Sequence, residues 1–407
     1  MTLKRLDRAL AEEIKGLKEE GRTKDPERII TEYIGPEDKW GPRYKLAGEE
    51  GNFIRMNSNS YLSLSNNREV MAAADKATRD FGVGPGAVRF IDGTFSHHIG
   101  LEKRIADFTA KPAAKIFNSA YTSNCGLALT IGSKNTHWIG DQLNHNSIIR
   151  AMRIAGVPRE NKGIYKHNDL NDLKRCLDQV ADGIERVIVI YDGIFSMRGD
   201  NAPIDKINAV IAPYREKFRD GVITVVDDSH GIGAYGQTGR GTPEHCNASP
   251  DIIVGTFGKG FGVNGGFIAA SEQLVEAVRQ KADTYIYTNP LSVADCAAAV
   301  KALDICDSPV GIELLKGLKE RTLRFRGGLD ILGKESIPGP HPVVPLLVRD
   351  TAKTRDLVLA LFTKGILVVG LTFPVVPKGD ELLRFQINAA HTDADIDYVL
   401  EALREVL

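Results

Sequence analysis

The stretch Val222-Ile223-Thr224-Val225-Val226-Asp227-Asp228-Ser229-His230-Gly231-Ile232-Gly233 decides the fold class. Its first half is a short, β-branched apolar run of the kind that forms a strand buried on both faces. The run stops abruptly on two carboxylates and a histidine. Strands buried on both faces belong to parallel α/β sheets, and such sheets bind ligands at the carboxyl ends of their strands. Further runs at 186–191, 252–254 and 266–270 repeat the pattern between about residues 51 and 290. The segments between them are long enough for crossover helices, so a mostly parallel α/β sheet is expected over residues 51–295.

Outside this region the pattern changes. At the N-terminus Leu6, Leu10, Ile14 and Leu17 recur at helical spacing, predicting an amphipathic helix that ends at Gly21. Segment 22–50 is rich in charge, Gly and Pro and reads as an arm that lies on another surface. After residue 296 a strand at 342–348, a helix at 351–364 stopped by Gly365, strands at 366–370 and 382–388, and a helix at 393–407 with Thr392 or Asp393 as N-cap predict a smaller α+β domain. The expected division is therefore 1–50, 51–295 and 296–407.

Composition narrows the function classes. The 407 residues carry 52 basic and 53 acidic side chains, a net charge of -1. A chain this neutral offers no basic field for nucleic acid or a membrane surface. The apolar runs are strand-sized and the N-terminus has no apolar signal region, so neither a membrane span nor export is expected. Five scattered cysteines with no C-x-x-C pair give neither a disulfide framework nor a zinc site. These features predict a cytoplasmic enzyme without a metal centre.

Three segments carry candidate chemistry. The end of the 222–226 run reads either as a polar turn, with Asp228 capping the next helix, or as a ligand site. In the latter, Asp227 would hold the protonated nitrogen of a heterocycle and His230 would face the same ligand. The second segment, Gly255-Thr256-Phe257-Gly258-Lys259-Gly260, sets a lysine in Gly-rich sequence directly after an apolar strand. It lacks the P-loop order. A lysine there is either solvated or placed to form a Schiff base with an aldehyde cofactor. The third, Phe117-Asn118-Ser119-Ala120-Tyr121-Thr122, is a helix start, suited to a phosphate or simply capped by Ser119 or Thr122.

Together these segments resemble the α-oxoamine synthases, a family of fold type I pyridoxal-phosphate (PLP) enzymes, over Asn57 to Thr392. The Asp227–His230 strand end and the Gly255–Lys259 segment match the family's order. Val88-Arg89-Phe90-Ile91-Asp92-Gly93-Thr94, Asp192-Gly193-Ile194-Phe195-Ser196-Met197, Pro374-Val375-Val376-Pro377-Lys378-Gly379 and Ala389-Ala390-His391-Thr392 are most similar to its glycine C-acetyltransferase branch. The resemblance implies a fold type I transferase with PLP bonded to Lys259. Asp227 would keep the ring nitrogen protonated, His145 would stack on the ring, and His230 and Ser196 would bond its phenolic oxygen. Ala120, Tyr121 and Thr256 would hold the phosphate, and Thr288 or Asn289 would reach the phosphate of a neighbouring subunit in a homodimer with shared active sites. Arg384 and Asn59 would bind the amino-acid substrate, and Val88 would limit room beside its α-carbon.

The implied reaction condenses an amino acid with an acyl thioester, glycine and acetyl-CoA giving 2-amino-3-oxobutanoate. Three departures bear on the substrates: a loop after Lys259 closer to that of sphingoid-base synthases, Arg198 within Ser196-Met197-Arg198-Gly199, and Pro290. They keep alanine or serine, or a longer acyl group on CoA or a carrier protein, as the alternative. An aminotransferase would need the same Asp, Lys and Arg, but Gly239-Arg240-Gly241 favours the synthase. A non-catalytic partner subunit would have no use for Lys259.

Overall fold

The computed structural model describes residues 2–20, 22–23, 26–373 and 375–407. The expected helix stop at Gly21, and Pro374 of the quoted run, lie outside them. The centre is a seven-stranded sheet in the order Ala113–Phe117, Gly266–Ala270, Ile252–Thr256, Val222–Asp227, Arg186–Asp192, Thr136–Asp141, Lys162–Tyr165. The paired strands from Ile252–Thr256 through Lys162–Tyr165 are parallel, as the apolar runs predict. Val187 to Tyr191 and Val225 to Asp227 are buried without a break, so both faces of the sheet are covered.

Gly266–Ala270 runs antiparallel to both of its neighbours. The connection 257–265 that feeds it is too short for a crossover helix and can only turn back. That reversal matters for function, because it folds the segment carrying Lys259 into a tight loop over the sheet's carboxyl edge. Phe257 N donates to Gly265 O (3.0 Å), Val263 N to Phe257 O (3.0 Å) and Gly262 N to Lys259 O (3.1 Å).

The C-terminal strands Val343–Leu347, Leu382–Gln386 and Val369–Leu371 form a separate antiparallel sheet. The single strand expected at 366–370 is two: Ile366–Leu367 pairs in parallel with Ile54–Arg55, and Val369–Leu371 pairs with Leu382–Gln386. The chain changes partners there because the N-terminal segment competes for its first half. Thr392 is the N-cap of the last helix, Asp393–Val406, its hydroxyl accepting from Asp395 N at 3.1 Å.

Thr2–Glu19 is a helix, and its apolar row from Leu3 to Ile14 and Leu17 is exposed on this chain. The arm behind it forms a hairpin, Ile30–Ile34 with Arg43–Leu46, laid on the C-terminal segment. Arg43 pairs with the fully buried Asp395 carboxylate at 2.6 Å, and Trp40 packs edge-on to Tyr398. Among the described residues no helix is long and apolar enough to cross a membrane.

Candidate active site

A cleft opens where the Arg186–Asp192 and Val222–Asp227 strands end. It is closed by the Lys259 loop on one side and the first turn of the Ala120–Ile131 helix on the other. Side-chain alternation along a strand sends Asp227 and Asp228 in opposite directions. Asp227 lines the cleft. Asp228 turns inward and accepts from Thr242 Oγ1 (2.6 Å) and N (3.0 Å), tying the following turn together. Asp228 thus serves the turn reading of this strand end, although the N-cap of the short Thr242–His245 helix is Gly241, and Asp227 is the carboxylate that faces the cleft.

Asp227 is held on three sides. Its Oδ1 accepts from Ser229 N (3.1 Å) and Ser229 Oγ (2.5 Å), and its Oδ2 accepts from Asn124 Nδ2 (2.7 Å). The Asn124 amide also reaches Ser147 Oγ (2.9 Å), and Ser147 bonds His145 Nδ1 at 2.8 Å. His145 is the N-cap of the Asn146–Ile154 helix, its Nδ1 accepting from Ser147 N, and its ring is exposed to the cleft. His145 N donates to Asp192 Oδ2 at 2.8 Å. The sheet register sets Asp192 level with Asp227, and burial, then the Asp227 charge, hold the Asp192 carboxyl well above its ordinary value.

Burial pulls the Lys259 amine down to about 8, despite the nearby Asp227 and Asp192 carboxylates. Burial, then the Lys259 and Arg384 charges, hold His230 well below its usual value, so it is neutral. Its Nδ1 lies 2.7 Å from the hydroxyl of Tyr61, which burial keeps protonated. The same hydroxyl lies 3.4 Å from Asn59 Oδ1, so Tyr61 links His230 to the Asn59 side of the site. His341 Nε2 lies 2.8 Å from His230 O and pins the backbone.

At the helix start Ser119 is the N-cap and satisfies Thr122 N. The N–H groups of Ala120 and Tyr121 have no acceptor among the described residues, and both residues line the cleft. Gly266 makes this close packing feasible, because a Cβ there would overlap Ala120 N and Ser119 C. Arg384 reaches in from the C-terminal sheet. Its Nη2 donates to Asn59 Oδ1 at 3.0 Å, Gln386 also bonds Asn59, and burial holds the guanidinium below its usual value. Arg384 Nε is buried without a hydrogen-bond partner, and among the described residues no carboxylate pairs with the group.

The structure thus gathers Lys259, Asp227, His145, His230, Ser196, Ala120 and Tyr121 around one cleft, with Arg384 and Asn59 beside it. Thr256 is committed to the Lys259 loop, donating to Gly265 O (2.9 Å) and accepting from Gly258 N (3.0 Å). Thr288 and Asn289 rest on Asn118, whose Nδ2 reaches Thr288 Oγ1 (3.3 Å) and Asn289 O (2.9 Å). Val88 sits in a turn, its carbonyl accepting from Ile91 N and Gly93 N, and does not line the cleft of its own chain. Sequence reading missed Asp192, Asn124 and Tyr61. Asp192 ends an apolar strand as Asp227 does, and Tyr61 stands in the same run as Asn59, so both had a signal. Asn124 had only its polarity in a mostly apolar helix.

The chain is similar to known proteins over most of its length. The profile of the family described as "Aminotransferase class I and II" matches residues 51–403. The chain is 35% identical to 8-amino-7-oxononanoate synthase of Petrotoga mobilis, covering 87% of this chain and 88% of that protein. It is 34% identical to the mitochondrial 2-amino-3-ketobutyrate coenzyme A ligase of Bos taurus, covering 98% and 91%. Serine palmitoyltransferase from Sphingomonas wittichii superposes with a TM-score of 0.87 at 25% identity, covering 99% of this chain and 97% of that one. A structure of SPT with PLP gives 0.87 at 27% identity, covering 100% and 98%.

Proposed function

Since the chain belongs to the class I and II aminotransferase family and, within it, to the α-oxoamine synthases, we propose that it joins glycine to the acyl group of acetyl-CoA, giving 2-amino-3-oxobutanoate. The broader activity is PLP-dependent acyl transfer on a fold type I scaffold. PLP suits the groups present: a buried amine at Lys259, a carboxylate held at Asp227, the open ring of His145, and free N–H groups at Ala120 and Tyr121. When bound, it supplies an electron sink for charge developing on the substrate's α-carbon.

The chain's own groups do the rest. Arg384, with its Nε unpartnered and Asn59 on its flank, takes the substrate carboxylate. This guanidinium, with no carboxylate partner among the described residues and close enough to Lys259 and His230 to lower both, carries the amino-acid half of the reading, and the 34% identity to 2-amino-3-ketobutyrate coenzyme A ligase over 98% of the chain supports glycine and acetyl-CoA. Lys259, whose amine gives up its proton more easily than an ordinary lysine, accepts in its neutral form the proton from the α-carbon held beside it. Asp227 would keep a proton on the cofactor's ring nitrogen, and His230 and Ser196 would bond its phenolic oxygen. The Thr256 hydroxyl would hold the phosphate together with the Ala120 and Tyr121 N–H groups. Thr288, Asn289 and Val88, which do not line the cleft of their own chain, serve the cleft of a second copy, making the working unit a homodimer with shared active sites.

A second reading, alanine or serine with a longer acyl thioester, is favoured by the relatives named as 8-amino-7-oxononanoate synthase and serine palmitoyltransferase. Thiol release across glycine, alanine and serine with acetyl-CoA and longer acyl-CoAs separates the two. Sterics at the α-carbon discriminate by about 10- to 100-fold per added carbon, so glycine should lead by that factor. A preference for alanine or serine, or a longer chain as the best donor, selects the second reading.

A further inference from the structure

Beside the cleft, and outside the groups assigned above, a partly buried charge bridge joins the two loops that carry His145 and Ser196. His167 follows the Lys162–Tyr165 strand, and its side chain is only 17% exposed. Its Nδ1 lies 3.0 Å from Asp141 Oδ1 and its Nε2 lies 3.1 Å from Asp200 Oδ2. A neutral imidazole has one N–H and could satisfy only one carboxylate; with both ring nitrogens facing carboxylates, only the imidazolium satisfies both.

The two carboxylates belong to different loops. Asp141 ends the Thr136–Asp141 strand and shapes the turn into His145, its Oδ1 accepting from Leu143 N (2.8 Å) and its carbonyl from Asn144 N (3.2 Å). Asp200 lies on the far side of the loop holding Ser196: Phe195 N donates to Asp200 O at 3.0 Å, and the Phe195 ring meets the His167 ring edge-on at 4.4 Å. Asn168 stitches the same pair, donating from N to Asp141 Oδ2 (2.9 Å) and from Nδ2 to Asn201 O (3.2 Å). We infer that His167 is a positioning residue, which by bridging Asp141 and Asp200 holds the His145 turn and the Ser196 loop in register across the cofactor cleft. The inference rests on the assignment of His145 and Ser196 to the cofactor.

The charged groups around the ring agree. Arg198 Nε pairs with Asp200 at 3.0 Å and balances its charge. Tyr165, on the strand leading to His167, is kept protonated by burial and adds no charge. Burial works to lower His167, but the hydrogen bonds and charges of Asp141 and Asp200 raise it to about 9. The bridge is complete at neutral pH and loses one of its two N–H contacts as pH rises through that value.

The test begins with histidine-selective NMR of the PLP-loaded protein, whose nine histidines are few enough to assign by deletion. The resonance absent from His167→Gln should titrate above pH 8, and in Asp200→Asn it should move to lower pH. Titration near the ordinary histidine value, or no movement in Asp200→Asn, overturns the bridge. For the positioning role, His167→Gln should lower kcat about 10- to 100-fold, the effect of an ångström-scale misplacement, with the amino-acid KM little changed. Its kcat profile should also lose the alkaline fall near pH 9. A residue that only stabilised the fold would leave that fall in place, and wild-type kcat or an unaltered profile in folded His167→Gln overturns the role. Should that variant not fold, Asp200→Asn carries the same test, its alkaline fall moving to lower pH. Absence of thiol release in the wild type would fault the proposed reaction, whereas the NMR titration judges the bridge without any substrate.

Discussion

Lys259 is strained electrostatically before any ligand binds. Its amine is held near 8 by burial, so the apoprotein spends folding free energy to keep it charged at neutral pH. A lysine whose folded value lies below its unfolded one of 10.5 destabilises most below about pH 8, and that cost fades as pH rises toward 10.5. The Lys259→Met apoprotein should therefore be more stable than wild type at pH 7, by at most about 3 kcal/mol. Thermal melts at pH 7 and pH 10 check this: the gap should shrink at the higher pH, and equal melts at pH 7 would refute it. Arg384 makes the complementary case. Arg384→Lys keeps the charge but loses the paired N–H geometry, so the amino-acid KM should rise about 10- to 100-fold in steady-state kinetics.

At the scale of elements, the strands that matter were legible because a buried parallel strand leaves an unbroken apolar run. Arg186–Asp192 and Val222–Asp227 begin and end within a residue of those runs. Lys259 and Asp227 were legible for the same reason: each interrupts a buried strand's end, where polarity needs a ligand or a turn. The split at 366–371 was not legible, since its partner Ile54–Arg55 is distant in sequence and only tertiary pairing separates the halves. Nor was His167, which follows one strand and takes its meaning from two carboxylates, one at the end of a second strand and one in the loop after a third. Packing at Gly266 gives the prediction for this scale. Gly266→Ala must part the strand from the Ala120 helix start, costing about 1–3 kcal/mol of stability as overpacking does. Because that start is proposed to supply N–H groups to the phosphate, PLP retention measured by dialysis should fall with the melting temperature. Unchanged retention would detach the helix start from the cofactor.

The whole molecule carries apolar surface that a single chain does not cover. Val83, Phe90, Ile91 and Ile99 are more than half exposed, as are Leu3, Leu6 and Ile14 of the N-terminal helix and Tyr287 next to Thr288. Exposed apolar side chains such as these are what the proposed interface between two copies would cover. Val88 and Thr288 adjoin Phe90 and Tyr287 in sequence, so the proposed shared-site homodimer would bring a second copy against them. Light scattering at assay concentration should give a dimer mass, and Phe90→Glu should lower both dimer fraction and activity; a fully active monomer would contradict the shared sites. The central claim is acyl transfer from a thioester to an amino acid, and its most direct measurement is stoichiometric. PLP-loaded protein, glycine and acetyl-CoA are mixed, and free thiol, aminoketone and keto acid are quantified together. The account predicts thiol and aminoketone rising in equal amounts, no keto acid, and neither product with Lys259→Ala. Keto acid formed from the amino acid without thiol release from any acyl-CoA would contradict it.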